Sequence, residues 1–241
     1  MDRCLILDGD IIAYQSAVTC ERPVNWGDGL WTLHSYECEV RSAVDAYVQR
    51  LKTQAGLDLV LVAISDTKNF RKEVAPYYKE NRKDVRKPML LKYAKEYLIE
   101  KYTGVILPTL EADDTLGIYT SKYPESYVCW SLDKDLRTIP GFHLIDGEIV
   151  EITEEEADLA FYTQVLTGDL VDNYPGCPRI GPKTAEKILK DVDDKWEAVV
   201  AAFVKAGLNE AQALEQARLA RILRHTDYNW DAREVLLWSE K

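Results

Sequence analysis

Arg3-Cys4-Leu5-Ile6-Leu7-Asp8-Gly9-Asp10 stands near the start of a 241-residue chain and decides how the rest is read. An unbroken apolar run of this length suits a strand buried on both faces, and the acid-glycine-acid ending suits a tight turn. The same grammar recurs twice. Leu57–Ile64 runs into Ser65-Asp66, and Ser126–Trp130 runs into Ser131-Leu132-Asp133. Helical spacing fills the intervals, first over Ile11–Val18 and then over Glu37–Ala55, with apolar positions at Val40, Ala43, Val44, Tyr47, Val48 and Leu51. Trp26–Trp31 reads as a turn or hairpin, and Phe142–Ile145 and Glu148–Ile152 flank an Asp146-Gly147 hairpin turn. Strands separated by helices predict an α/β sheet. From Glu154 onward the pattern is helical, including Ala211–Leu223, which divides the chain near Thr153 into units 1–153 and 154–241.

Composition narrows the class. Hydrophobic residues make up 46% and charged residues 29%, the profile of a folded globular chain. No apolar stretch is long enough to span a membrane, and Asp8 and Asp10 follow the start too closely for a secretory leader. Cys4, Cys20, Cys38, Cys129 and Cys177 are scattered, without zinc-site spacing or a disulfide framework. Cys4 and Cys129 lie in apolar runs and read as buried thiols; His34, His143 and His225 are isolated. Any metal here would therefore take oxygen ligands, which favours Mg²⁺ or Mn²⁺.

The net charge is −11, which taken alone argues against a nucleic-acid binder. The distribution says otherwise. Asp8, Asp66 and Asp133 each follow a predicted strand, and ligands of open α/β sheets bind beyond those strand ends. Glu111-Ala112-Asp113-Asp114 opens a helix through Thr115–Lys122, where acids either complement the helix dipole or join the same crevice. Asp133-Lys134-Asp135 and Asp169-Leu170-Val171-Asp172 add two more pairs. Carboxylates crowded together raise one another's pKa unless cations neutralise them. Paired divalent ions would do so, and phosphodiester hydrolysis is the chemistry they serve. Conversely, Lys68–Lys101 holds eleven Lys/Arg against five Asp/Glu, a local +6 that leaves −17 on the remaining chain. Tyr77 and Tyr78 sit among these cations, where rings suit stacking of unpaired bases. Leu90–Tyr102 reads as a solvated amphipathic helix.

Gly168–Ala185 is the most specific segment. Ile180-Gly181-Pro182-Lys183-Thr184-Ala185 predicts a turn and a helix beginning near Pro182, whose first amides can meet a phosphate beside Lys183 or Lys187. Such a hairpin grips a duplex backbone without reading its sequence.

Taken in order, Leu7-Asp8-Gly9, Ser65-Asp66 with Phe70-Arg71, Tyr78-Lys79-x-x-Arg82, Glu111-Ala112-Asp113-Asp114, Asp133-Lys134-Asp135 and Gly168–Ala185 resemble the 5′-nuclease, or flap endonuclease, superfamily. The resemblance is closest to phage 5′–3′ exonucleases and the 5′-nuclease domain of bacterial DNA polymerase I. It implies a PIN-like α/β fold with a twisted, mostly parallel sheet, followed by a helix-three-turn-helix DNA-binding region. Carried over, Asp8, Asp66, Glu111, Asp113 and Asp114 form a first metal site, and Asp133, Asp135, Asp169 and Asp172 a second. Lys79 and Arg82 contact the scissile phosphate, Tyr78 stacks on a displaced base, and Arg71 joins them as a catalytic group. Gly176, Arg179, Ile180, Gly181, Lys183, Thr184 and Lys187 hold DNA, with K⁺ on the hairpin carbonyls as a secondary expectation. Asp10, where relatives more often carry Asn or Thr, either joins the metal shell or caps the following helix. The segment Lys83–Tyr102 is short for a threading arch.

The expected activity is structure-specific hydrolysis near the 5′ end of branched or nicked duplex DNA, or of RNA primers in RNA–DNA hybrids, with two Mg²⁺ or Mn²⁺ ions. The expected setting is replication in a bacterial or phage-infected cytoplasm, by a monomer. A flap-binding module with incomplete metal sites and a PIN-type ribonuclease are the alternatives.

Overall fold

The computed structural model describes residues 3–240. Strand β1 (Cys4–Asp8) is the hub of a six-stranded sheet. It is followed by α1 (Gly9–Thr19), the hairpin β2 (Arg22–Asn25) and β3 (Trp31–His34), α2 (Glu37–Ala55) and β4 (Leu59–Ala63). Next come the single turn α3 (Arg71–Val74), α4 (Leu91–Lys101), β5 (Gly104–Val105), α5 (Ala112–Lys122) and β6 (Tyr127–Trp130). The hairpin β7 (Gly141–Ile145) and β8 (Glu148–Ile152) completes the sheet, in the order β5-β4-β1-β6-β7-β8. All neighbours run parallel except β7 and β8.

The three apolar runs therefore lie side by side with their acid-bearing ends at one edge. Register aligns Leu7 with Val62 on one side and Trp130 on the other. Gly9 makes the turn possible: a Cβ there would lie 2.4 Å from the Ile64 and Val62 side chains. Leu5 and Leu7 meet Ile12, Val44 and Leu98 in a core beneath α1, α2 and α4. Ile6 and Cys129 meet Ala112, Leu116 and Ile139 on the opposite face. All five cysteines are free, and Cys4 is half-buried rather than buried.

Thr153 begins the helical part with a capping box, its hydroxyl accepting from the Glu156 amide. Helices α6 (Glu154–Thr167), α7 (Pro182–Leu189), α8 (Lys195–Lys205) and α9 (Glu210–Ala220) surround Phe161, Val165, Trp196, Phe203 and Ala217. Ala75 and Tyr78 from the first half enter this core. The chain then returns, with Ile222 and Leu223 packing against residues of α5 before the small hairpin β9 (Tyr228–Asn229) and β10 (Glu234–Val235). Thr153 marks a change of element type, and packing is continuous across it. Helix α9 ends three residues before the expected Leu223 because that segment turns to meet α5.

Candidate active site

Asp8 is the cap of α1, its Oδ1 accepting from the Asp10 and Ile11 amides at 3.1 Å and its Oδ2 from the Ser131 hydroxyl at 2.8 Å. It is 3% exposed, and burial, followed by the charges of Asp10 and Asp133, pushes its carboxyl up to about 6. Asp113, in the first turn of α5, is raised well above the usual range by burial and then by Asp8, Glu111 and Asp133. Asp133 caps a short helical turn by accepting from the Asp135 amide. Asp135 rises to about 6 through burial and the charges of Asp133 and Asp169, while Gln164 donates to it at 2.6 Å. Asp8, Asp113 and Asp133 are thus brought together from two strand ends and a helix start, and Asp135 and Asp169 continue the group.

A second set of acids is already paired. Lys79, whose φ of 54° turns the chain sharply, lies between Glu111 and Asp172, 3.3 Å from the Asp172 carboxylate. Arg82 meets the other Asp172 oxygen at 2.7 Å. Burial alone would raise Glu111, but Lys79 and Arg71 outweigh it and hold the carboxyl at about 2. Burial opposes the Lys79 charge, and Glu111 and Asp172 overcome it, so its pKa is raised and the ammonium is retained. Arg71, Tyr78, Glu111, Asp113, Asp133, Asp135 and Asp172 line one crevice.

The structure corrects several expectations. Tyr78 is 2% exposed; its hydroxyl reaches Glu111 and Asp172, and its ring stacks on Tyr174, so no face is open to a displaced base. Arg71 is also buried, and it grips Asp114, which is wholly inaccessible with both oxygens hydrogen-bonded. Both are therefore engaged within the protein. Asp66 turns to the Thr67 and Thr109 amides, organising a loop instead of joining Asp8. Asp10 accepts from the Ser65 amide and pairs with Lys95 of α4 at 2.8 Å, a cation the amphipathic reading of that helix assigned to solvent. Ser131 and Gln164 had no signal beyond their neighbourhood to the acids. Beyond Arg82 the exposed basic loop is pinned back to the connection between α1 and β2 by Arg86 on Glu21.

Among the described residues no three His, Cys, Asp or Glu side chains stand in ready metal-ligand geometry. Lys79, Arg82 and Arg71 hold Glu111, Asp172 and Asp114 in ion pairs. The remaining donors still fit a hard cation, because they are oxygens whose mutual repulsion Lys79 and Lys134 offset only in part.

In the hairpin, Gly168 and Gly176 cross so closely that a Cβ on Gly176 would lie 2.3 Å from the Gly168 nitrogen. Asp169 and Tyr174 bridge the loop, and the Cys177 amide donates to the Leu166 carbonyl. Gly176 is consequently buried and is corrected from DNA contact to hairpin crossing. Ile180 packs into the helical core. Arg179, Gly181, Lys183, Thr184 and Lys187 are exposed around the start of α7, with Pro182 at its first turn.

No protein-family model matches the chain. It is 31% identical to an exonuclease of Escherichia phage T7 over 97% of this chain and 92% of that protein. It is 29% identical to an exodeoxyribonuclease of Enterobacteria phage T3, covering 98% and 93%. A flap endonuclease Xni of Shewanella baltica is 27% identical over 73% of this chain and 74% of that protein. Among solved structures, the T5 D15 protein co-crystallised with metal ions superposes with a TM-score of 0.64 at 17% identity, covering 91% of this chain and 89% of that one. That likeness shows the fold: a mostly parallel sheet flanked by helices, with a helical region following.

Proposed function

The chain belongs to the 5′-nuclease, or flap endonuclease, superfamily, and from that premise we propose that it hydrolyses a phosphodiester near the 5′ end of branched or nicked duplex DNA. The observation that carries this is the unbalanced acid group of Asp8, Asp113 and Asp133 beside the paired cations Lys79 and Arg82. Asp8, Asp113 and Asp133, with Asp135 and Asp169, would hold divalent cations such as Mg²⁺ or Mn²⁺. Bound there, such ions supply neutralisation, water activation and stabilisation of the leaving oxygen.

The chain's own groups do the rest. Lys79 keeps its proton and Glu111 stays ionised, so the pair is a fixed dipole beside the acid group. A substrate phosphate competes with Asp172 for Lys79 and Arg82, which then stabilise charge developing on its oxygens. Water adds to phosphorus and the bond to the 3′ oxygen breaks, leaving a 5′-phosphate and a 3′-hydroxyl. The exposed hairpin residues Arg179, Gly181, Lys183, Thr184 and Lys187 hold the duplex backbone.

The test is a 5′-labelled flap duplex and a matched RNA hairpin, each incubated with Mg²⁺ or EDTA. Metal-dependent flap cleavage is expected. Flap binding without cleavage would replace the reading with a binding module, and preferred cleavage of the RNA with a ribonuclease.

A further inference from the structure

We infer that Arg71 is a positioning residue that fixes the distance between the duplex-holding hairpin and the acid group, and thereby sets which phosphodiester is cut. The inference rests on the nuclease reading above. Arg71 is 2% exposed, and all of its guanidinium contacts are internal. Nη1 and Nη2 each reach an Asp114 oxygen at 2.7 Å, a two-point grip, and Nη1 lies 3.3 Å from Glu111. Nε donates to the Leu219 carbonyl at 3.0 Å, and Nη2 donates to that of Arg221. Asp114 in turn accepts from the Leu223 and Glu111 amides. One side chain therefore ties the end of α9 to the start of α5, where Glu111 caps the helix and Asp113 lies in its first turn.

The same helical turn also touches the hairpin. Gln216 of α9, 5% exposed, accepts from the Gly176 amide at 2.9 Å. Gly176 cannot shift freely, because its backbone is pressed against Gly168. A continuous set of short contacts thus runs from the hairpin crossing through Gln216, one turn of α9 and Arg71 to the acids. Leu219, Ala220 and Ile222 from this segment form part of the crevice wall. Only a guanidinium satisfies this geometry, since its planar fork meets a carboxylate twice and still reaches two carbonyls. Lysine would preserve the charge and lose the fork.

Product lengths at single-nucleotide resolution on a 5′-flap duplex test this, because a purely structural residue would not change them. Arg71→Lys is expected to spread cleavage onto flanking bonds and to lower kcat by about 100-fold, the scale of a misplaced reacting group. KM and duplex affinity in EDTA should stay unchanged. Gln216→Leu, which leaves Arg71 and the acids intact, is expected to spread cleavage in the same way. A single wild-type product from both variants, at rates that follow their folded fractions, would overturn the inference. If wild-type protein does not cleave, the nuclease reading fails separately, and hydrogen exchange then tests the link. Arg71→Lys must speed exchange at the Gly176 amide, and unchanged exchange there would sink the link itself.

Discussion

Glu111 and Asp113 are two residues apart, yet their carboxyls are driven in opposite directions. Lys79 and Arg71 override burial at Glu111 and hold it at about 2, whereas burial with Asp8, Glu111 and Asp133 drives Asp113 upward. The paired set of Glu111, Asp114 and Asp172 is satisfied by the protein's own cations. In the unpaired set, Asp8 and Asp113 are a standing cost to the fold, which the cation binding proposed above would offset. Stability and function are thus separated at neighbouring positions of one helical turn, and the separation can be tested at either set.

The largest effect is expected at the unpaired set. Asp113→Asn should lower cleavage by about three orders of magnitude, the upper end for removing one electrostatic group from a reacting centre. The same substitution should raise Tm in EDTA. The sign follows from linkage: a carboxyl whose folded pKa is raised binds protons better when folded, so its contribution falls as pH rises and is unfavourable at neutral pH. Calorimetry in EDTA checks it. A lower Tm would mean that Asp113 stabilises the fold and that the two sets do not differ in kind.

At the boundary between the sets, Lys79→Ala should reduce cleavage by about 100-fold. It should also leave Glu111 and Asp172 without their cation, so Tm should fall where Asp113→Asn makes it rise. Opposite Tm shifts from two damaging substitutions would sharpen the contrast, and shifts of the same sign would break it.

Much of this was legible in the chain and some was not, for a definite physical reason. Strands and their acid endings are local features, so Asp8 and Asp133 were placed correctly by an apolar run followed by a turn. Glu37–Ala55 was legible for the same reason, its buried stripe of Val40, Val44, Val48 and Leu51 ending at a left-handed Gly56. Pairing partners are not local. Asp114 resembles its neighbours in sequence until Arg71, 43 residues earlier, occupies it. Tyr78 lies in a basic stretch that invites a stacking role, but Tyr174 and the two acids bury it. Gly176 was assigned to DNA because the sequence cannot show that Gly168 presses on it.

Acid titration separates the paired set from an unrelated buried group. His143, 4% exposed on β7, interacts with the Ile139 carbonyl, and burial lowers its pKa from 6.5 to about 4. A folded state that binds fewer protons loses stability as pH falls from 6.5 to about 4, by roughly 3 kcal/mol at about 1.4 kcal/mol per unit. Glu111 acts lower: its pKa is depressed from 4.5 to about 2, so its contribution is present above 4.5 and is lost as pH falls through 2. In urea unfolding across pH, His143→Gln should remove that loss from the upper window only, leaving the opposite slope of Asp8 and Asp135, whose carboxyls are raised to about 6. Persistence of the full upper slope would assign that window to other groups.

The smallest effect is expected far from both acid sets, at the exposed start of α7. Lys183 makes no ion pair among the described residues, and it stands beside Gly181, where no heavy atom would crowd even an added Cβ. Its charge is therefore available to a phosphate at little desolvation cost. Lys183→Ala should weaken duplex binding only severalfold but reduce the slope of log affinity against log salt by about 1, the release of one counterion. Measured in EDTA, this keeps the acid group out of the comparison. An unchanged slope would remove Lys183 from the grip, and a loss of cleavage out of proportion to binding would show that the hairpin and the acids are not separable functions.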